Sequence, residues 1–347
     1  MSFEQSVTLL ADVKQQQLAR TLGLLPCFKP LKLEKVRAIS AGLSQPCFYL
    51  QHDNQDYFAK RITNNSAEPL ASELAAMQGI APKVIYSGQH WLVTEFITGV
   101  GLDNIVDTHA DSADDNLTIT LSLLARCHCI PLQSLEHNES NQQKLPQLDI
   151  AVTVKQLLQA VKLSTSHLSV LQSLSDLLQQ NLIRAVEKQS NIEQVFCHGD
   201  ANFSNVIRLE KRAEKPSELT HKLVDFECAS IAPIAYDLAM FMAVNGIDVS
   251  QVSAIISLYL QAYKAIKPSG EPLCIVDNLA SSRDCSSNIS VILVTRYLEL
   301  SLFINGLWYL SQYHSNQSSN YQLLAIKQFS LLANSHPQLN SLLAQMR

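Results

Sequence analysis

The chain has 347 residues, 47% of them hydrophobic and 16% charged, with 26 basic against 31 acidic side chains and a formal net charge of −5. So apolar a composition, with charge well below the roughly 25% usual for soluble domains, excludes a disordered chain, and the length suits two hydrophobic cores better than one. The negative balance offers no general field to attract a polyanion, so nucleic acid is not an expected partner, although a local basic site could still hold a nucleotide.

In chain order, the first thirty residues carry Glu4 and Asp12 and lack a basic segment ahead of a long apolar run. They are not read as an export signal, and no element is assigned to them. From 33 to 94, short runs rich in β-branched and aromatic residues (VRAIS, CFYLQ, YFAKRI, KVIYSG, WLVTEFI) alternate with turn-rich pieces such as HDNQD and TNNSAEP. That alternation predicts a small antiparallel sheet. One helix interrupts it over 68–78, where β-branched residues are absent and Pro69 stands where a first turn tolerates it.

After Gly99 the pattern becomes helical, over 117–129 and again over 165–188, where Leu171, Leu174, Leu178 and Leu182 make one apolar stripe. The polar stretch 133–144 is expected to be an exposed loop. Between 195 and 227 short extended pieces return (EQVFCHGD, NVIRLE, HKLVDFE), around a polar hairpin-like connection over 211–220. The most apolar stretch, 291–310, is interrupted by Arg296, Glu299 and Asn305 and is read as a buried helix, not a membrane span. The eight cysteines form no CxxC pair and are read as free thiols of a cytoplasmic protein, with Cys127-His128-Cys129 structural and not metal-binding. The expected fold class is α+β, with an N-terminal lobe over 1–97 built on the sheet and a mainly helical C-terminal lobe over 98–347.

The strongest chemical signal is His198-Gly199-Asp200-Ala201-Asn202-Phe203-Ser204-Asn205, followed after the hairpin by Val224-Asp225-Phe226-Glu227. Phosphoryl transfer needs a carboxylate beside the attacking hydroxyl and oxygen ligands for magnesium on the phosphates. Asp200 suits the first task. Asn205 and Asp225 suit the second, and Glu227 is either a further metal ligand or a surface charge.

These motifs resemble the catalytic loop and metal-binding segment of the aminoglycoside phosphotransferase and choline kinase superfamily, which shares its fold with protein kinases. The resemblance implies a bilobal kinase-like architecture and the cofactors ATP and magnesium, with a small alcohol, cationic or uncharged, as the phosphate acceptor. It extends to Pro233-Ile234-Ala235-Tyr236-Asp237-Leu238-Ala239, where Asp237 would hold the catalytic loop in shape while His198 packs structurally. Upstream, Ile39-Ser40-Ala41-Gly42-Leu43-Ser44 is similar to the nucleotide loop of choline and thiamine kinases, so that Ser40, Gly42 and Ser44 would face the phosphates. Lys60 falls on the phosphate-anchoring lysine, with Glu73 placed to pair with it. Glu95 and Ile97, at the expected hinge, would read the adenine edge through their backbones.

For the acceptor, Phe303-Ile304-Asn305-Gly306-Leu307-Trp308-Tyr309-Leu310 resembles the late helix of choline kinases, whose aromatic side chains line the ammonium pocket. Trp308 falls on one such tryptophan, while Asn305 stands where another is common. Trp308 is therefore either part of a ligand cage or core, and Tyr236 and Tyr309 are its candidate companions. Two other classes are weighed: a silent kinase-fold binding module, against which intact Asp200, Asn205 and Asp225 argue, and a metal-dependent hydrolase, for which the ten histidines form no cluster.

Overall fold

The computed structural model of the chain describes residues 7–8, 13–28, 35–39, 45–104, 112–132, 144–189, 191–210, 219–267, 273–276 and 287–346. Packing divides the chain into two compact units, Met1–Pro146 with Phe203–Ala229, and Gln147–Asn202 with Ser230–Arg347. This division differs from the expected boundary at residue 97. The reason lies in strand pairing: β7 (Gly99–Gly101) pairs antiparallel with β9 (Val206–Leu209), which in turn pairs with β10 (His221–Leu223), so the hairpin at 203–229 joins the first unit. Gly99 permits that approach, because a Cβ there would collide with the Arg208 carbonyl oxygen.

The first unit holds a six-stranded antiparallel sheet in the order β1-β2-β3-β4-β6-β5, formed by Val7–Thr8, Val36–Ile39, Cys47–His52, Gln55–Arg61, Trp91–Glu95 and Val84–Ser87 respectively. Asp53 and Asn54, at φ 48° and 59°, make the two-residue turn between β3 and β4. Positive φ at both positions matches the twist of the flanking strands, and aspartate and asparagine tolerate it. Helix α1 (Val13–Leu22), to which the sequence analysis assigned nothing, puts Ala19 and Leu22 into a core with Phe28, Phe48, Leu50, Tyr57 and Trp91. The Trp91 indole N–H donates to Thr21 Oγ1 at 3.1 Å, which satisfies the only polar atom this ring brings inside. Helix α2 (Glu68–Met77) begins with Pro69 in its first turn and ends before Gly79, whose φ of 70° stops it. Helix α3 (Ser112–His128) completes the unit.

The second unit contains α4 (Ile150–Ala160), α5 (Thr165–Glu187), α6 (Ile234–Asn245), α7 (Val252–Ile266), α8 (Val291–Asn316), α9 (Ser319–Ala333) and α10 (Asn340–Met346). The expected leucine stripe of α5 is buried at Leu171, Leu174, Leu178 and Leu182. Helix α8 packs against α4, α5, α6, α7 and α9. By length and composition α8 is apolar enough to cross a membrane, but 61% of its most apolar window is buried inside the fold, as a core helix requires. Two short ladders complete the unit: β8 (Gln194–Cys197) pairs with β11 (Ser230–Pro233), and β12 (Leu273–Val276) runs parallel to β13 (Ser287–Ser290). The loops expected over 133–144 and 211–220 lie largely outside the described residues, as does the nucleotide loop at 40–44.

Among the described residues Cys47, Cys127 and Cys197 are buried thiols and Cys228 is exposed. Burial, only partly offset by the nearby Lys60 ammonium, pushes the Cys47 thiol up to about 12. Since the thiolate is the nucleophile, a thiol reagent at neutral pH should modify Cys228 quickly and leave Cys47, Cys127 and Cys197 unmodified until the chain unfolds. Peptide mass mapping of the alkylated native protein checks this; early labelling of Cys47 would contradict the packing of β3.

Candidate active site

In the first unit, β4 carries Lys60 on its inward face, 5% exposed. The ammonium contacts three carboxylates: Glu68 Oε1 at 2.9 Å, Asp225 Oδ1 at 2.6 Å and Glu227 Oε2 at 2.9 Å. Burial alone would lower the lysine pKa, but the three anions outweigh it and raise it, so Lys60 is firmly cationic. Glu68, 3% exposed, is pushed up to about 7, mainly by burial and against the pull of Lys60. When all four groups are ionised their charges sum to −2, so the cluster retains an appetite for a further cation.

The expected partner of Lys60 was Glu73, and here the structure corrects the sequence analysis. Glu68 opens α2 and turns toward Lys60. Glu73 lies five residues on, about 140° around a helix of 3.6 residues per turn, and accepts a hydrogen bond from the Ser87 hydroxyl instead. The helix was placed correctly, and its facing was not.

The β9–β10 hairpin delivers the next residues. Its register sets Val206 opposite Leu223, which brings Asn205 across from Val224, and the Val224 N–H donates to the Asn205 carbonyl at 2.9 Å. Asn205 and Asp225 thus meet at the open end of one hairpin although twenty positions separate them in sequence. Asp225 adopts φ 66°, a left-handed conformation that aspartate tolerates better than most residues, and this kink aims its carboxylate at Lys60. Glu68, Asp225 and Glu227 each offer a carboxylate oxygen within 4.8 Å of the others. Hard, anionic oxygens at such spacing fit magnesium, so the donor set passes the chemical test for the metal implied by the motif.

In the second unit, the buried carboxylate of Asp237, in the first turn of α6, accepts the N–H of His198 at 2.9 Å and of Gly199 at 2.8 Å. Gly199, at φ 79°, supplies the turn that lets consecutive amides converge on one carboxylate. His198 is fully buried, and its Nδ1 accepts the Asp200 N–H at 3.2 Å. The Asn202 side-chain amide donates to Asp200 Oδ1 at 3.2 Å. The loop is therefore held by its backbone from beneath, while the Asp200 side chain is half-buried.

At the expected hinge, the Glu95 N–H donates to the Lys83 carbonyl at 2.9 Å and the Glu95 carboxylate accepts the Lys83 N–H at 2.8 Å. That amide belongs to the sheet, so the Glu95 N–H is not available for adenine; Ile97, beyond the strand end, is half-buried. Ser40, Gly42 and Ser44 lie outside the described residues.

Of the acceptor candidates, Tyr236 is buried in α6 and packs edge-to-face on Tyr297 of α8, with ring centroids 5.9 Å apart. Trp308 packs edge-to-face on Tyr309 at 5.2 Å and on Tyr321 of α9 at 6.0 Å, and neither Tyr297 nor Tyr321 was singled out in sequence. Two cavities in this unit, of about 700 Å³ between α4 and α5 and about 490 Å³ beside the end of α8, are lined by none of the predicted site residues. Neither cavity singles out the predicted site residues.

The chain belongs to the phosphotransferase enzyme family: the family model matches residues 35–271, more than half of the sequence. No curated protein matches the chain. Similar solved structures include an ethanolamine kinase from Plasmodium vivax (TM-score 0.57, 14% identity, covering 87% of this chain and 83% of that one). A choline kinase from Streptococcus pneumoniae is similar at TM-score 0.59 and 14% identity, covering 92% of this chain and 100% of its own. A putative aminoglycoside phosphotransferase from Ralstonia eutropha is similar at TM-score 0.52 and 15% identity, covering 93% and 95%. At these identities the likeness establishes a kinase-like fold. The chain is a phosphotransferase with that fold.

The position of Glu68 generates a direct test. Losing one buried charge-assisted hydrogen bond costs about 1.5 to 3 kcal/mol, or roughly 10- to 100-fold in a rate or binding constant. Glu68→Gln should lower kcat/KM for ATP by about that factor, whereas Glu73→Gln should stay within about 2-fold of wild type. Steady-state kinetics on both folded variants decides; the reverse ranking would restore Glu73 as the partner.

Proposed function

We propose that the chain is an ATP- and magnesium-dependent kinase that moves the γ-phosphoryl group of ATP to the hydroxyl of a small metabolite of the choline, ethanolamine or thiamine kind. The observation that carries this reading is the buried Lys60 ammonium shared among Glu68, Asp225 and Glu227. A lysine held by three acids is a lysine poised to trade some of them for phosphate oxygens, and the acids it releases are the ligands a phosphate-bound cation needs. The Streptococcus pneumoniae choline kinase has also been solved with AMP, which supports a nucleotide as the donor.

In this mechanism Asn205, Asp225 and Glu227 would hold magnesium. When bound, it would neutralise charge on the phosphates. Lys60 keeps Glu68 and exchanges Asp225 and Glu227 for phosphate oxygens. Asp200 accepts the hydrogen bond of the acceptor hydroxyl, fixes its direction, and takes its proton as the new O–P bond forms and the bond from the γ-phosphorus to ADP breaks. Asp237 and His198 act one step back, by keeping the backbone beneath Asp200 in one conformation. Trp308, Tyr309 and Tyr236 belong, on this reading, to the acceptor side.

The division of labour is testable by paired substitution. Asp200→Asn should lower turnover by about 10²- to 10⁴-fold, the usual worth of a positioned general base, with nucleotide affinity nearly unchanged. Asp225→Asn should instead weaken metal-dependent nucleotide binding. Equal loss of nucleotide affinity in both folded variants would contradict the assignment.

A further inference from the structure

The smaller cavity of the second unit, about 490 Å³ beside the end of α8, carries chemistry that the phosphotransfer site does not use. Its volume suits a small metabolite. Leu310, Tyr313 and His314 form one wall, and at i, i+3 and i+4 they share one face of α8. Trp308 stands two residues before Leu310, about 200° around the helix, so this face lies opposite the Trp308 aromatic contacts. The connection between α4 and α5 brings Lys162 to the cavity. Helices α9 and α10 close it with Gln322 and Met346, which are joined by a hydrogen bond from the Gln322 side-chain amide to the Met346 carbonyl.

Three groups along this wall can donate a hydrogen bond. The Lys162 backbone N–H donates to His314 Nδ1 at 3.0 Å, so in the neutral ring the proton is on Nε2 and that edge of half-buried His314 is a donor. Burial and the neighbouring Lys162 ammonium both lower the His314 pKa, which keeps the ring neutral at physiological pH. Among the described residues the Lys162 ammonium enters no salt bridge and the Tyr313 hydroxyl no hydrogen bond. An exposed lysine is ordinarily satisfied by water. This one borders a concave, partly apolar wall along which no aspartate or glutamate stands, so an anion would meet a positive charge and an apolar surface together.

We propose that this cavity binds a small carboxylate with an apolar body, a ligand distinct from the donor and the acceptor of phosphotransfer. The charge count selects the carboxylate: Lys162 is the one ionised group of the lining, so a monoanion is neutralised there, whereas a phosphate dianion keeps one charge unpaired. The carboxylate oxygens accept from the Lys162 ammonium, from His314 Nε2–H and from the Tyr313 hydroxyl, while the apolar body covers Leu310 and Met346. Such a ligand ties the α4–α5 connection to α8, α9 and α10.

The test uses the full chain without nucleotide and titrates it with benzoate, benzylamine and phenyl phosphate, which share an aromatic body and differ in charge. Calorimetry gives the affinities, and a ligand that binds only the folded chain raises Tm with its concentration. Benzoate should raise Tm and bind about 10-fold or more tightly than benzylamine, and more tightly than phenyl phosphate. Losing a charge-assisted hydrogen bond costs roughly 10-fold or more in affinity, so Lys162→Met and His314→Phe should each weaken benzoate by about that factor, while Lys162→Arg stays within about 3-fold of wild type. Lys162 is exposed, so Lys162→Met decides the matter even where His314→Phe fails to fold. No binding of benzoate, binding of benzylamine or phenyl phosphate as tight as that of benzoate, or benzoate affinity unchanged in Lys162→Met would overturn the proposal. None of these readouts involves ATP or turnover, which separates the outcome from that of the proposed kinase activity.

Discussion

The candidate site of the first unit is organised by one buried ammonium. Lys60 sits 5% exposed within 2.6 to 2.9 Å of three carboxylates. Removing any of these charges from water is costly, and attraction repays the cost only where geometry is good and the charge balance is close. Here the balance is not close, because three acids face one base. The three anions raise Lys60 against its burial, and burial pushes Glu68 up to about 7. That excess of acids over base is what the proposed binding of a metal-bound polyphosphate would draw on.

The fold assembles this cluster from four separate devices. Strand β4 points Lys60 inward; the first turn of α2 supplies Glu68; the β9–β10 register supplies Asn205 and Asp225; and a left-handed residue at Asp225 turns the carboxylate back toward the lysine. The second unit uses a different strategy. Asp237 binds two successive backbone amides and so fixes the loop that carries Asp200. In one unit side chains hold each other, and in the other a side chain holds the backbone.

What was legible in the sequence follows from this difference. The stretch from His198 to Asn205 and the Asp225 motif are contiguous, since a loop or hairpin end must place several chemical groups within a few residues, and order along the chain then mirrors order in space. The strands of the sheet were legible as well, because alternation and turn residues such as Asp53-Asn54 are local signals. Partner choice across elements was not. Glu73 and Glu68 are both glutamates in the same predicted helix, and only the angle at which α2 meets β4 selects Glu68. The pairing of β7 with β9, which moves the hairpin into the first unit, joins strands about a hundred residues apart and leaves no mark in either strand alone. Helix α1 escaped notice because its buried side amounts to little more than Ala19 and Leu22. Tyr321 could have been noticed only as a companion of Trp308 once α8 and α9 were known to pack together.

The account stands on the exchange of carboxylates for phosphates at Lys60, and calorimetric titration of ATP into the purified chain with and without magnesium measures it most directly. Without the metal, the phosphate charges approach a cluster in which acids outnumber the one base, so binding should be weaker by about 10-fold or more than with magnesium present. Equal affinity under both conditions, with no turnover in either, would contradict the account and describe a nucleotide-binding module without phosphotransfer chemistry.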